Sequence, residues 1–538
     1  MNNDSGIDLG NADEFTVAQK VGQLFMLAVF INDSDEEVEK VERIITEKHI
    51  GALCFFHSRA STATNFEGKK KVLFNENSYE RLKTLVKKYQ EAANTPLLIA
   101  IDAEWGLAMR IENTPRYPYA LTLGALRHKE DLIYEVGRKI GMDCLQAGIH
   151  WNLAPVVDIN SNVENPVIGY RSFGDDKEQV TQKAKAYLKG MRDVGILNCL
   201  KHFPGHGDTK TDSHLALPVI DKSERELLKN ECYPFEKLLP EHIDSIMIGH
   251  LALPQVDDSE KPATLSKKVI TEILRNRLGF EGVIISDALN MHAVSKRFPK
   301  KGDLESEAFK AGMDMFCFSE HPEEAIEKII LQKDDMRIQT SFERVWKLKQ
   351  KTFKLSNSEN DKVLSTEQLN LEIAKNCITE LFGNAHKKLV NNHYENALNL
   401  IIGNPKTNLF STNLEEILGI ETHTLAPPSL ELVQNRSKNK NHIVIALFPP
   451  SVKPQNTFGF DSALLNALND LLNLGNCSVY LFGNPLVLNL LPWNRANAYV
   501  LVYQDFPEFQ KIAYQHFTGK IPALGRLPVQ LKMNHHEI

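Results

Sequence analysis

The chain has no pair of cysteines in CxxC spacing, no surplus of basic residues and no apolar run approaching the length of a membrane span. Its seven cysteines, Cys54, Cys144, Cys199, Cys232, Cys317, Cys377 and Cys477, are scattered and odd in number, and several lie in apolar runs, as buried free thiols do. A disulfide framework is therefore not expected, and a reducing compartment suits the chain. With a net charge of −7 there is no basic footprint for nucleic acid or for an anionic membrane, so neither is expected as a partner. The first residues, MNNDSGIDLGNADEF, are polar and acidic and lack the basic start and apolar core of a secretory signal, so the expected location is cytoplasmic. What remains is a soluble-type composition, 42% hydrophobic and 24% charged, that fits a small polar, neutral ligand better than a polymer of charge. Nothing in it predicts an oligomeric state.

At 538 residues the chain exceeds what one core usually holds, so two domains are expected. Short apolar runs recur at Val21–Phe30, Ile50–Phe56, Pro96–Asp102, His150–Ile159, Leu197–His202, Ser245–Leu251, Val283–Asp287 and Met313–Phe318. Between most of them lie stretches of helical period: Tyr79–Ala93, Asp131–Gly148, Gln179–Gly195, Glu224–Leu239, Ser266–Leu278 and Leu304–Ala311. Eight such alternations predict a (β/α)8 TIM-type barrel, with an open doubly wound sheet as the alternative. The polar segment Leu355–Ser365 marks a boundary, giving a catalytic barrel over 1–354 and a smaller α/β sandwich over 355–538. In that second part apolar runs at Ala397–Ile402, His442–Phe448, Cys477–Phe482 and Ala498–Val502 alternate with helical stretches, which predicts a largely parallel sheet.

Barrel active sites are built from the C-terminal ends of strands and the loops that follow. The unusual polar residues cluster there: Asp102 ends the third run, Asp158 and the Arg171 loop follow the fourth, Lys201 and His202 end the fifth, His250 the sixth and Asp287 the seventh. The densest stretch is Lys201–Pro218, KHFPGHGDTKTDSHLALP, with three histidines and two aspartates in eighteen positions. Asp212 and His214 stand two apart, close enough for a carboxylate to accept an imidazole N–H and raise its basicity, which makes a general acid/base. The same stretch also reads as a metal loop or a solvated turn. However, His202, His206, Asp208, Asp212 and His214 fit no helix-borne zinc spacing such as HExxH, so no metal is expected.

The motif KHFPGHGDTKTDSH resembles the signature of glycoside hydrolase family 3, in the two-domain form of its NagZ-type β-N-acetylhexosaminidase branch. That resemblance implies a cofactor-free, retaining hydrolysis of terminal N-acetylglucosaminides, plausible substrates being peptidoglycan fragments, with phosphorolysis or a β-glucosidase-type activity as the alternatives. It implies that Lys201 and His202 hold sugar hydroxyls and that His214, assisted by Asp212, is the acid/base. GFEGVIISDALNM matches the family closely, which implies that Asp287 is the nucleophile; as a bare residue after an apolar strand, Asp287 has a helix cap as its plain alternative. The family commonly has a second Asp directly after it, and here that place is Ala288. Asp102 and Arg110, in IDAEWGLAMRI, match its sugar-binding pair by their offset of eight, where an ordinary surface ion pair is the plain alternative. Its usual Glu-Gly-Gly appears as Glu104-Trp105-Gly106, so an indole stands by the pocket, either to stack on a sugar or to fill the core. Arg171, in NPVIGYRSFGDD, also matches the pattern, and its planar fork suits paired acceptors; the alternative is a salt bridge to Asp175 or Asp176. His250 matches less specifically and reads as a pocket wall or a core histidine.

Overall fold

The computed structural model describes residues 9–58, 74–210, 217–257, 259, 261–353, 364–383, 396–403, 407–426 and 435–532. All eight expected barrel strands form: β1 Phe25–Phe30, β2 Ala52–Phe56, β3 Leu98–Ile101, β4 Trp151–Asn152, β5 Cys199–Phe203, β6 Ser245–Ile248, β7 Val283–Ser286 and β8 Phe316–Cys317. Every pairing among them is parallel. One sheet runs β4-β3-β2-β1-β8 and another β5-β6-β7. Single bridges Trp151–Leu197 and Ile285–Met315 join their edges and close the ring. Strands covered on both faces need side chains that lose nothing by burial; FMLAVF, ALCFF and LIAI supply them, and each is buried along nearly its whole length.

Helices fill the crossovers close to where their period predicts, among them Ser78–Ala92, Glu130–Gln146, Lys177–Asp193 and Asp303–Ala311. One expected helix is broken. Glu224–Leu239 is two short helices, Glu224–Lys229 and Tyr233–Leu238, because Pro234 has no N–H to give to a continuing helix and sits instead in the first turn of the second. The break turns Glu231 inward, where it is 3% exposed. All seven cysteines are free and buried. Among the described residues no helix is long and apolar enough to cross a membrane.

The opposite end of β8 is held by a buried charge cluster. Asp314 is 0% exposed and takes Arg275 Nη2 at 2.6 Å, Arg344 Nη1 at 3.0 Å, Arg337 Nη1 at 3.1 Å and Ser341 Oγ at 2.7 Å. Burial alone would raise its carboxyl, but the three guanidiniums, Arg337 first, hold it below the usual range. Its contribution to stability is therefore complete above the unfolded-state value near 4 and is lost as pH falls through the lower folded value. Asp314→Ala would strand three cations at once and should destabilise the barrel by about 3–5 kcal/mol, read as a lower midpoint in denaturant.

By compactness the chain falls into two units. The first comprises Met1–Tyr117, Ile133–Asn162 and Lys177–Val363; the second Pro118–Leu132, Val163–Asp176 and Leu364–Ile538. The second unit thus takes in two stretches from within the span that the sequence assigns to the barrel. Among the described residues its sheet has six strands, β9 Thr379–Phe382, β10 Ala397–Gly403, β11 Glu421–Leu425, β12 His442–Phe448, β13 Cys477–Leu481 and β14 Ala498–Leu501, in the order β11-β10-β12-β13-β14-β9. Pairing is parallel except where β9 lies antiparallel to β14. The four central strands are those the apolar runs predict. β9 and β11 lie at the two edges, half exposed and bearing polar side chains (TELF, ETHTL), so no apolar run announces them.

Candidate active site

Asp102 leaves the end of β3 and is set by its neighbours' backbone. Asn152, fully buried on β4, accepts from Ala103 N at 3.0 Å with its Oδ1 and donates to Ala103 O at 3.2 Å with its Nδ2. This two-point clamp fixes the turn that aims Asp102. The next turn contains Gly106 at φ +94, where an added Cβ would stand 2.7 Å from the Tyr117 ring, so only glycine lets the chain double back to Arg110. Arg110 Nη2 then meets Asp102 Oδ2 at 2.8 Å, with its guanidinium 5.1 Å above the Phe56 ring.

Lys201, within β5, completes the cluster. Its side chain is 2% exposed and its Nζ lies 2.8 Å from both Asp102 Oδ1 and Glu104 Oε1. A cation so deeply placed needs both anions, since one carboxylate would not offset its lost hydration. For Asp102, burial pulls the carboxyl up, but Lys201 and then Arg110 outweigh it and hold it far below the usual carboxylate range. Asp102, Lys201 and Arg110 are thus brought together as the sequence suggests. Glu104 is a partner that the sequence reading quotes without assigning it a role.

His202 is anchored by a second carboxylate. Asp158, 0% exposed beyond β4, accepts His202 Nδ1 at 2.7 Å and the backbone amides of His202, at 3.2 Å, and of His206, at 2.7 Å. Its carboxyl is raised by burial but brought net down by these partners, His202 first. A carboxylate at Nδ1 requires that nitrogen to carry the proton, which fixes the ring's orientation. No local motif holds this pairing, which depends on the ring bringing the ends of β4 and β5 side by side. His206 is buried and its imidazole is pushed down to about 4 by burial first and then by His202, so it is neutral at pH 7. Its Nδ1 lies 2.8 Å from Thr209 Oγ1.

Asp287 follows β7. Its amide donates to Ile248 O at 3.0 Å, and its Oδ1 accepts from Ala288 N at 2.8 Å, which orients the carboxylate. His250, 0% exposed, lies behind this turn, with Nε2 3.0 Å from Ala288 O and Nδ1 3.0 Å from Thr264 Oγ1. Burial lowers its pKa, so it donates one proton to the carbonyl and stays neutral. It is a buried prop for the Asp287 turn. Asp287 favours the charged form of His206 and His250, but burial outweighs it at both, and the buried Cys317 thiol of β8 is driven up by Cys54 and by burial.

Trp105 is half-buried, and its carbonyl accepts from Tyr117 N at 3.3 Å. Arg171 ends the short helix Gly169–Arg171 in the second unit, so it is not among the groups the first unit gathers; its Nη1 donates to Val167 O at 3.4 Å. Asp212 and His214 lie outside the described residues.

A closed parallel barrel that mounts carboxylates, a buried lysine and a tethered histidine at the C-terminal ends of its strands has the arrangement of a TIM-barrel enzyme's active site. Residues 16–348 match the glycosyl hydrolase family 3 N-terminal domain, and the chain belongs to that family of glycoside hydrolases. It is 35% identical to the β-hexosaminidase A of Pseudoalteromonas piscicida over 241 residues, which are 42% of this chain but only 40% of that relative's length. It is 38% identical to the β-hexosaminidase of Tolumonas auensis over 250 residues, 45% of this chain and 73% of the relative. The structure of a glycoside hydrolase family 3 β-N-acetylglucosaminidase from Paenibacillus sp. str. FPU-7 superposes with a TM-score of 0.76 at 27% identity, covering 96% of this chain and 99% of that one. The barrel followed by an α/β domain is therefore the family's architecture here too.

Proposed function

We propose that this chain is a retaining, exo-acting β-N-acetylglucosaminidase. It removes a terminal β-linked N-acetylglucosamine, with peptidoglycan fragments as the natural source of substrate and a reducing, cytoplasmic setting that suits seven buried free thiols. The observation that carries the reading is the Asp102–Lys201–Arg110 cluster, at the same C-terminal end of the barrel strands as Asp287. Ionised groups held in a fixed array give a sugar's hydroxyls strong, directional partners, while a separate carboxylate is left to reach the anomeric carbon. Asp287 attacks that carbon as the glycosidic C–O bond breaks, and the imidazole of His214, kept basic by Asp212, gives the leaving oxygen its proton. The glycosyl–Asp287 ester is then opened by water, whose proton returns to His214. His202 completes the binding of the sugar, and the chemistry calls on no cofactor and no metal.

The test is turnover of an aryl N-acetyl-β-glucosaminide beside the matching aryl β-glucoside, with the first-formed anomer followed by NMR. The acetamido sugar should be strongly preferred and released in the β configuration. Preference for the plain glucoside would move the chain to β-glucosidase-type chemistry, and initial α-sugar would exclude the two-step mechanism. Added inorganic phosphate should leave the rate and product unchanged; a sugar 1-phosphate would instead make the chain a β-glycoside phosphorylase, since a histidine acid/base does not repel phosphate as a carboxylate would.

A further inference from the structure

The loops that follow β7 and β8 enclose a cavity of about 240 Å³ on the face of the barrel that carries the candidate site. Its near wall begins at Leu289, two residues past Asp287. Two residues of chain span at most about 7 Å, so this wall stands beside the Asp287 turn. Leu289 N donates to Cys317 O at 3.0 Å, which pins the loop across to β8. The far wall is held as firmly. Gly302, at φ +75, packs so closely on the helix Pro322–Ile330 that an added Cβ would lie 2.6 Å from Ala325 N, and Lys328 Nζ meets Asp303 Oδ1 at 2.5 Å.

The lining is electrically two-sided. On the floor is Glu305, 4% exposed, whose Oε1 accepts from Ser319 Oγ at 2.6 Å. Burial, the largest influence on this carboxyl, raises its pKa, as expected where no full counter-charge is at hand. At the rim stand Lys296, Lys300 and Lys301, all exposed, against one exposed carboxylate, Glu320. Lys301 also reaches Glu324, 3.1 Å away, which leaves Lys296 and Lys300 as the cations at the mouth. A dianion such as phosphate would suit those lysines and be repelled by Glu305, and a bare ammonium would suit Glu305 and be repelled by the lysines. An amino-acid group satisfies both, because it carries a carboxylate and a nitrogen donor on one carbon. The volume falls below the roughly 300–1,000 Å³ of pockets that take a whole ligand, so it suits one arm of a larger molecule.

We propose that this cavity receives an arm of the leaving group, and that the natural aglycone bears an amino-acid group, its carboxylate on Lys296 and Lys300 and its nitrogen donor on Glu305. This rests on Asp287 being the nucleophile of the proposed glycosidase. Counting round the ring, β3 and β5 carry the Asp102–Lys201–Arg110 array, β7 carries Asp287, and the cavity lies beyond it at β7 and β8. A terminal sugar on that array, with its anomeric carbon at Asp287, sends its aglycone over the cavity.

The experiment compares kcat/KM for the N-acetyl-β-glucosaminides of four phenols that differ only in the para arm: 4-methylphenol, tyramine, 3-(4-hydroxyphenyl)propionate and tyrosine. The wild type should cleave the tyrosine glycoside about tenfold better than the methylphenol one, the worth of a charged hydrogen bond, with the propionate between them and tyramine no better than methylphenol. In Lys296→Ala/Lys300→Ala the ratio of either acid to methylphenol should fall to about one, and in Glu305→Gln tyrosine should drop to the level of the propionate. The two exposed lysines decide the matter if Glu305→Gln fails to fold. A tyrosine glycoside no better than the methylphenol one in the wild type, or an advantage that survives loss of both lysines, would overturn the proposal. So would faster cleavage of the matching 4-hydroxybenzylphosphonate glycoside, which would make the cavity a phosphate site. The same series made as β-glucosides separates this proposal from the reading it rests on: cleavage of the glucosides alone would overturn the N-acetylglucosaminidase assignment, while the ratios between aglycones would still decide what the cavity binds.

Discussion

Asp287→Ala should lower kcat/KM by about four orders of magnitude or more on activated and natural substrates alike, because without a nucleophile the two-step route has no first step. The loss should be chemical, not structural. The Asp287 amide bond to Ile248 O is backbone and survives, His250 still props Ala288 O, and the half-buried side chain leaves at its removal a site open to solvent. That space gives the second measurement. Azide can enter where the carboxylate stood, form its C–N bond on the α face as the dinitrophenolate departs, and restore turnover with α-glycosyl azide as product. Activity above about one hundredth of wild type without azide would take Asp287 out of the nucleophile's role. Rescue that gave β-azide would place the attacking group on the other face of the sugar.

How much of the fold is legible in the sequence follows the physics of burial. The eight barrel strands and the four central strands of the second sheet are covered on both faces, and full burial writes itself as an unbroken apolar run. β9 and β11 are edge strands with one side to solvent, so TELF and ETHTL look like loop. The break at Glu231 was visible in Pro234 but was outweighed by the helical period around it. The site was legible where one local motif holds both partners, as with Asp102 and Arg110. It was opaque where partners come from different strands: that Lys201 needs Glu104 as well as Asp102, and that Asp158 grips His202, depend on which strand ends the ring makes adjacent. The assignment of Pro118–Leu132 and Val163–Asp176 to the second unit is of the same kind, a long-range contact with no local signal.

Asp102→Ala should cost about three orders of magnitude in kcat/KM through a different route, the loss of an organised array. Lys201, with its side chain 2% exposed, would lose one carboxylate while keeping Glu104, and Arg110 would keep its place over Phe56 but lose its carboxylate. If Asp102 accepts a sugar hydroxyl whose bond tightens as charge develops at the ring, kcat and kcat/KM should fall together with KM nearly unchanged. Asp102→Asn should recover little. An amide of the same shape must turn its NH2 toward either the Lys201 ammonium or the Arg110 fork, each only 2.8 Å away, so one attraction becomes a clash of donors. The pH profile separates this role from a titrating one. Asp102 is held ionised far below the usual carboxylate range, so across the working range it never changes charge and contributes no acid limb. In Asp102→Asn the height of the profile should therefore drop while the acid limb stays at the same pH. A limb that moved or vanished would show that Asp102 titrates in the free enzyme, and the acid limb would have to be reassigned to it.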